Sequence, residues 1–268
     1  MADELFSVEG QIVLVSGASR GIGRAIAHGF AQRGAQVLIT GRVAETLERT
    51  AHELSLGGAS VQPYVCDASD AKALQRLADE VVGKFGRIDT LVNCAGVNKR
   101  MRVEDYDEAT YDYITNINIR GAFFLATAVG RHMIRARRGS IINIDSLNSH
   151  RPLKHVAPYA MSKAAMSSMT RSMAMEWGPY GVRVNAVAPG FTLTDLTRPL
   201  WKDQNLDRWR RQNTPLRRPD TPEEGMGYPE DMVGVSIFLA SKASSFITGQ
   251  VIYVDGGTTC GLFWPLEV

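Results

Sequence analysis

Gln11-Ile12-Val13-Leu14-Val15-Ser16-Gly17-Ala18-Ser19-Arg20-Gly21-Ile22-Gly23 is the stretch that decides the fold. Its first five residues form a short apolar, β-branched run, the pattern of a buried strand. Glycines follow at Gly17, Gly21 and Gly23, and a helical pattern continues to Arg33. Strand, glycine turn and helix in that order make the setting of a phosphate cradle. Glycines allow a tight turn and a close backbone approach, and the unpaired N–H groups of a helix start face an anion. Ser19, Arg20 and Ile22 belong to the same loop. The spacing is Gly-x-x-x-Gly-x-Gly, and a plain strand-to-helix turn is the competing reading.

The same alternation recurs along the chain. Gln36–Thr40 reads as a strand, followed by Gly41-Arg42 and a helix to about Leu54; Ser60–Val65 is a third strand, ending at Cys66-Asp67. A helix through Phe85 leads to Thr90-Leu91-Val92-Asn93 and then Cys94-Ala95-Gly96, and a long helical region runs from Ala109 to Arg138. Ser140–Asp145 and Val182–Ala188 are further strands, the latter ended by Pro189-Gly190; a last helix, Glu230 to Ser241, precedes a final strand from Gln250. Strands alternate with helices throughout, without repeat or low-complexity linker. The expectation is an α/β chain forming one domain over 1–268, a doubly wound parallel sheet of about seven strands with helices on both faces.

The loops at the strand ends carry the cofactor argument. In dinucleotide folds the end of the second strand meets the adenosine ribose, where an acid would bind the 2′-OH. No acid stands there; Arg42 does, and Arg20 lies in the glycine loop, so two guanidiniums can grip a 2′-phosphate by forked hydrogen bonds. That predicts NADP(H); the alternative is two solvated arginines with NAD held through backbone contacts. Asp67 either accepts from the adenine amino group or caps the helix expected near Ser69. Ala95 and Gly96 suit backbone packed on a flat ring, and Asn93 either joins them or braces the sheet. Thr192 and Thr194, after Pro189-Gly190, offer hydroxyls to a carboxamide or phosphate.

Tyr159 and Lys163 stand four residues apart on a helical pattern, one turn apart on one face. A free phenol titrates near ~10, and a neighbouring cation favours its ionised form, so the pair is suited to moving a proton. Ser146 ends the run Ser140–Asp145, and a hydroxyl at a strand's carboxyl end sits where open α/β sheets bind ligands. Asn118, polar among apolar neighbours in a helix, requires hydrogen-bond partners.

Hydrophobic content of 44% and charged content of 22% describe an ordinary globular chain. A net charge of +2 is too balanced for a nucleic-acid binder. The three cysteines form no Cys-x-x-Cys and leave one unpaired, which fits a reducing compartment, and the five histidines show no metal-ligand spacing. No catalytic metal is expected. The start is acidic, and nowhere do 18 apolar residues run together. A cytoplasmic protein without membrane partner follows. Arg131, Arg135, Arg137 and Arg138 read as a solvated helix end, with a docking patch as the minor alternative.

Residues 195–226 are polar, aromatic and proline-interrupted with little period, which predicts a substrate lid over about 191–228. Lys99, Arg100 and Arg102, with His150, Arg151, Lys154 and His155, make both loops flanking the expected reaction centre basic, pointing to an anionic or polyhydroxylated small substrate; merely solvated loops are the alternative. On the Tyr159 helix, Met161, Ala164, Ala165, Ser168, Ser172 and Met175 form a small, apolar face that wants a partner helix. Together with the tail 258–268, which carries Phe263 and Trp264, this predicts a homo-oligomer, a tetramer, in which the tail docks on a neighbour or folds back on its own subunit.

Taken together, Gly17, Gly21, Gly23, Asn93-Cys94-Ala95-Gly96, Asn118, Ser146, Tyr159, Lys163 and Pro189-Gly190 resemble the short-chain dehydrogenase/reductase family over about 11–257. Within it the chain is similar to 3-oxoacyl-carrier-protein reductases and, around 96–100 and 214–218, to gluconate 5-dehydrogenases. The departures are Ser16 for a usual threonine, Cys94 for a usual asparagine, and a stretched segment from Arg218 to Glu230. The resemblance implies a Rossmann-type fold, an Asn118-Ser146-Tyr159-Lys163 tetrad and reversible hydride transfer between NADP(H) and a secondary alcohol or ketone. Tyr159 would exchange the proton, Ser146 would hold the oxygen, Lys163 would hold the nicotinamide ribose and Asn118 would position a water. A carrier-protein reductase and a cofactor-binding regulator without turnover are the alternatives.

Overall fold

A computed structural model of the chain describes residues 4–218 and 225–262. Seven strands share one sheet: β1 (Ile12–Ser16), β2 (Gln36–Gly41), β3 (Ser60–Val65), β4 (Thr90–Asn93), β5 (Gly139–Ile144), β6 (Val182–Pro189) and β7 (Val251–Val254). Their order is β3-β2-β1-β4-β5-β6-β7, every neighbouring pair parallel. Parallel neighbours need crossovers, and these are supplied by α1 (Gly21–Ala31), α2 (Ala44–Ser55), α3 (Ala71–Phe85), α4 (Glu108–Thr115), α5 (Ala122–Ala136), α6 (Ala157–Trp177) and α8 (Asp231–Ala240). All five residues of β1 and all four of β4 are buried, which is why these strands read as unbroken apolar runs rather than alternating ones.

Two core layers sandwich the sheet. Ile26, Phe30, Leu47, Leu54, Met232 and Ile237 from α1, α2 and α8 fill one side. Leu74, Leu77, Val81, Leu125, Val129, Met166 and Met169 from α3, α5 and α6 fill the other. The strand order reverses between β1 and β4, where Ser16 lies opposite Asn93, so the crevice for a ligand opens at the carboxyl ends of those two strands. Ser16 fastens the crevice: its Oγ accepts from the N–H groups of Cys94 at 3.1 Å and Ala95 at 3.3 Å. A serine hydroxyl makes these bonds as a threonine's would.

The expected long helix over 109–138 is interrupted. Between α4 and α5 the turn Asn116–Gly121 is π-helical, its i→i+5 hydrogen bonds spanning one residue more than the i→i+4 bonds of its neighbours. Gly121 packs so closely there that a Cβ would lie 1.9 Å from the Ala68 carbonyl oxygen. The lid is more regular than its sequence suggested, with a 3₁₀ turn at Arg198–Lys202 and α7 at Gln204–Asn213, whose first N–H groups are capped by Asp203. The helix expected near Ser69 begins at Ala71, and its cap is Asp70, which accepts from the N–H groups of Lys72 and Ala73. Asp67 therefore does not cap that helix: its Oδ1 instead accepts from Ser69 N–H and Oγ, both at 2.8 Å. Lid residues 219–224 and the tail aromatics Phe263 and Trp264 lie outside the described residues. Among the described residues no helix is long and apolar enough to cross a membrane.

Candidate active site

The carboxyl ends of the strands open on one cavity of about 1220 Å³, larger than the ~300–1,000 Å³ usual for a drug-sized ligand. A dinucleotide and a small substrate fit such a volume together. Gly17, Ser19, Arg20, Gly21, Ile22 and Gly23 line it from the first loop, Arg42 and Asp67 from the ends of β2 and β3, and Ala95 and Gly96 from the end of β4. Ser146, Tyr159, Lys163, Pro189, Gly190, Thr192 and Thr194 complete the predicted set. Asn93 and Asn118 do not line it.

The first loop fits an anion. Gly17 has φ +66° and its Cβ would lie 2.6 Å from the Ala95 Cα, so only glycine allows the loop to lie on the β4 end. Helix α1 starts without a side-chain cap and without an acidic residue in its first turn, leaving its N–H groups and positive dipole end to the cavity. Arg20 and Arg42 are exposed beside it and make no ion pair among the described residues, whereas Arg24 is tied to Glu53 at 3.1 Å. Cys94, in place of the usual asparagine, is pushed up to about 11 by burial and so remains a thiol.

Around Tyr159 the residues converge from three elements. Lys163, 4% exposed, donates from Nζ to the Ile144 carbonyl at 2.6 Å and lies 5.7 Å from the Tyr159 ring centroid. Ser146 caps the short turn Leu147–Ser149, and its Oγ accepts from Asn148 N–H at 3.1 Å and Asn148 Nδ2 at 3.2 Å. Both lone pairs of the hydroxyl are then used, and what remains is its proton, which can only be donated. Asn148 is itself fixed, since its Oδ1 accepts from Leu153 N–H at 2.9 Å.

The two predicted asparagines are braces. Asn118 Oδ1 accepts from Val97 N–H at 2.8 Å, while Nδ2 donates to the Val97 carbonyl at 2.9 Å and to Ser162 Oγ at 3.1 Å. Its side chain thus ties the segment after β4 to α6, one residue before Lys163. Asn93 takes the bracing alternative: its Nδ2 donates to Asn143 Oδ1 at 2.9 Å and to the Ala122 carbonyl at 3.3 Å, inside the sheet layer. In a parallel strand alternate side chains point to opposite faces, and this one points away from the crevice.

Of the seven basic residues flanking the site, Arg100, Arg102, Lys154 and His155 line the cavity. Arg102 is bound to Glu104 at 2.7 Å. Lys99 sits over the Tyr113 ring, His150 packs against Tyr253, and Arg151 donates to the carbonyls of Thr258 and Gly261. Arg100 and Lys154 make no ion pair among the described residues. Partial burial lowers the Arg100 pKa, while the Tyr159 and Tyr106 phenols act on it electrostatically in the opposite direction. Phe191, Trp201 and Trp209 line another side, the two indoles each 5.6 Å from the Phe191 ring.

Sequence reasoning passed over Asn148, Ser162 and the lid indoles. Polar residues inside the otherwise apolar or turn segments at 147–149 and 160–166 were the available signal, because buried polar groups imply partners.

Residues 17–259 match a family model described as Enoyl-(Acyl carrier protein) reductase. The chain is 38% identical over 259 residues to the gluconate 5-dehydrogenase of Gluconobacter oxydans (strain 621H), covering 97% of this chain and 98% of that one. It is 37% identical over 250 residues to a 3-oxoacyl-[acyl-carrier-protein] reductase of Thermotoga maritima, covering 93% and 98%. A gluconate 5-dehydrogenase from Burkholderia cenocepacia J2315, solved in complex with NADP and tartrate, superposes with a TM-score of 0.91 at 34% identity, covering 97% and 99%.

Proposed function

Because the chain belongs to the short-chain dehydrogenase/reductase family of oxidoreductases, we propose that it is an NADP(H)-dependent enzyme interconverting a secondary alcohol and a ketone on a small, sugar-acid-like or otherwise anionic substrate. The observation that carries this reading is the convergence of Ser146, Tyr159 and Lys163 in one cavity that is also lined by Arg20, Arg42, Arg100 and Lys154, none of which makes an ion pair among the described residues. NADP(H), when bound, supplies or accepts the hydride.

The chain's own residues do the rest. The uncapped start of α1 receives the pyrophosphate, Arg20 and Arg42 the 2′-phosphate, and Asp67 the adenine edge. Tyr159 gives a proton to the carbonyl oxygen in reduction and takes it back in oxidation. Ser146 donates its one free hydrogen to that oxygen and stabilises the charge developing there. Lys163 keeps a cation beside the phenol, and Asn118 fixes the backbone on which both rest. Arg100 and Lys154 receive the substrate's carboxylate; that the Burkholderia relative was solved with tartrate, a hydroxy acid, supports the substrate class. The exposed outer face of α6 supports assembly into a homotetramer.

NADPH oxidation with 5-keto-D-gluconate, other keto acids, neutral alkyl ketones and acyl-carrier thioesters tests the reading, using wild type, Tyr159→Phe and Arg42→Asp. Sugar acids are expected to react best, Tyr159→Phe to lose roughly 10²–10⁴ in kcat, and Arg42→Asp to weaken NADPH by about 1.5–3 kcal/mol, tenfold or more. Neutral ketones reacting far better would refute the substrate class, preference for carrier thioesters would favour the reductase reading of the Thermotoga relative, and unchanged NADPH affinity in Arg42→Asp would refute the phosphate clamp.

A further inference from the structure

Asp145 is the buried acid that the chemistry above leaves unused. It stands between Ile144, whose carbonyl holds Lys163, and Ser146, and the residue is 2% exposed. Its backbone N–H donates to the Val187 carbonyl at 2.7 Å, which locks the residue to β6. Oδ2 accepts a short hydrogen bond from Ser167 Oγ, and Oδ1 is buried without a partner among the described residues. Ser167 is one turn beyond Lys163 and two beyond Tyr159, so phenol, ammonium and the hydroxyl on the acid follow one stripe of α6.

Lys163, whose Nζ is held by the carbonyl of the preceding Ile144, is the charged group that acts on the Asp145 carboxyl; the others, the hydroxyls of Ser167 and Ser149 and the N–H of Ser146, are neutral. Acid and ammonium form no ion pair among the described residues, so the acid is buried without the close partner that would offset loss of water. A carboxyl in that position favours its proton. Burial is the largest influence on it and raises its pKa; the Ser167 bond and the Lys163 charge act against burial.

We propose that Asp145 is a positioning residue acting through Lys163, a proton-gated counter-charge: neutral, it leaves the ammonium's charge to Tyr159; ionised, it opposes that charge and slows turnover. The inference rests on the reading of Tyr159 and Lys163 as the reacting pair. Ionisation passes one proton from the carboxyl to solvent and needs no other reactant. The hydroxyl of Ser167 sets the pH at which it happens, because a donor to the ionised form favours that form.

The test is a pH series of kcat/KM on wild type, Asp145→Asn and Ser167→Ala, with infrared difference spectroscopy of the carboxyl band. The ratio of Asp145→Asn to wild type is expected to rise about tenfold from the acid to the alkaline end, the equivalent of one pKa unit of coupling. In Ser167→Ala the wild-type inflection should move to higher pH. The infrared band of a protonated buried carboxyl should disappear at the same midpoint and be missing from Asp145→Asn. A ratio independent of pH, an inflection unmoved in Ser167→Ala, or a carboxyl band that does not titrate across the inflection would each overturn the proposal. Should Asp145→Asn not fold, Ser167→Ala and the wild-type band decide. An inactive Tyr159→Phe beside a flat ratio removes the counter-charge alone, whereas a fully active Tyr159→Phe removes the reading beneath it.

Discussion

Asp145 binds its proton more tightly in the folded chain than in the unfolded one, where it titrates near ~3.9. Because the folded pKa is the higher, the stability it contributes is fully present below the unfolded value and is lost as pH rises through the folded one. An amide has no such loss, so Asp145→Asn should gain on wild type with rising pH, by about 1.4 kcal/mol for each unit by which the folded pKa exceeds the unfolded. Urea denaturation at constant ionic strength from acid to mildly alkaline pH measures the gap; one that stays constant or narrows contradicts the assignment. At this scale the sequence was legible where a spacing carries the geometry. Tyr159 and Lys163 are one helical turn apart whatever surrounds them, and Ser146 ends a strand at the edge where ligands bind. Asn148 was not legible, since its grip on Ser146 depends on a three-residue turn that no period announces. Asn93 and Asn118 show the same limit, as both are polar among apolar residues and only the fold says which way each amide faces.

Strands buried on both faces read directly as apolar runs; the bounds of β3 and the end of α3 lie where the sequence put them, while α3 starts two residues later than expected. Helix α7 did not read as a helix because its buried residue is Arg210, held at 2.6 Å by Asp207 and lying over the Trp201 ring, which no apolar period can reveal. The π-helical turn was equally hidden, since one added residue shifts the register without changing composition. Gly121 makes that turn testable. Helix propensity alone favours alanine there by about 1 kcal/mol, yet the added carbon would meet a backbone oxygen at 1.9 Å that cannot step aside. Gly121→Ala should therefore destabilise by about 1–3 kcal/mol or more, seen as a lower urea midpoint. It should also weaken NADPH, because Ala68 and Asp67 line the cavity. A stabilised variant would show that the loop yields.

Across the molecule, the outer face of α6 is unlike a solvated helix surface. Met161 is 55% and Met175 79% exposed, with Ala164, Ala165, Ser168 and Ser172 exposed between them, and Phe123 and Phe124 on α5 are exposed as well. The opposite face of α6 carries Lys163 and Ser167, so a contact on the outside is separated from the reacting groups by the width of one helix. Ala165→Arg should break self-association, and sedimentation velocity should find a smaller species than wild type. A wild type that sediments as a monomer, or a variant of unchanged mass, would refute assembly through this face. The site as a whole was readable because its parts recur at fixed places in the strand order; the internal structure of the irregular segment after β6 was not, because its aromatic contacts join residues with no common element.

Ser146 has one further consequence, for the design of inhibitors. With both lone pairs committed to Asn148, it discriminates among ligands by hydrogen-bond polarity. A mimic that places a carboxylate, sulfone or fluoroketone oxygen at the reacting carbon meets a donor, whereas an ammonium, the charged form of an amine at the same place, meets a proton where it needs a lone pair. Electronegative isosteres should therefore outrank isosteric amines in any ligand series built on the alcohol.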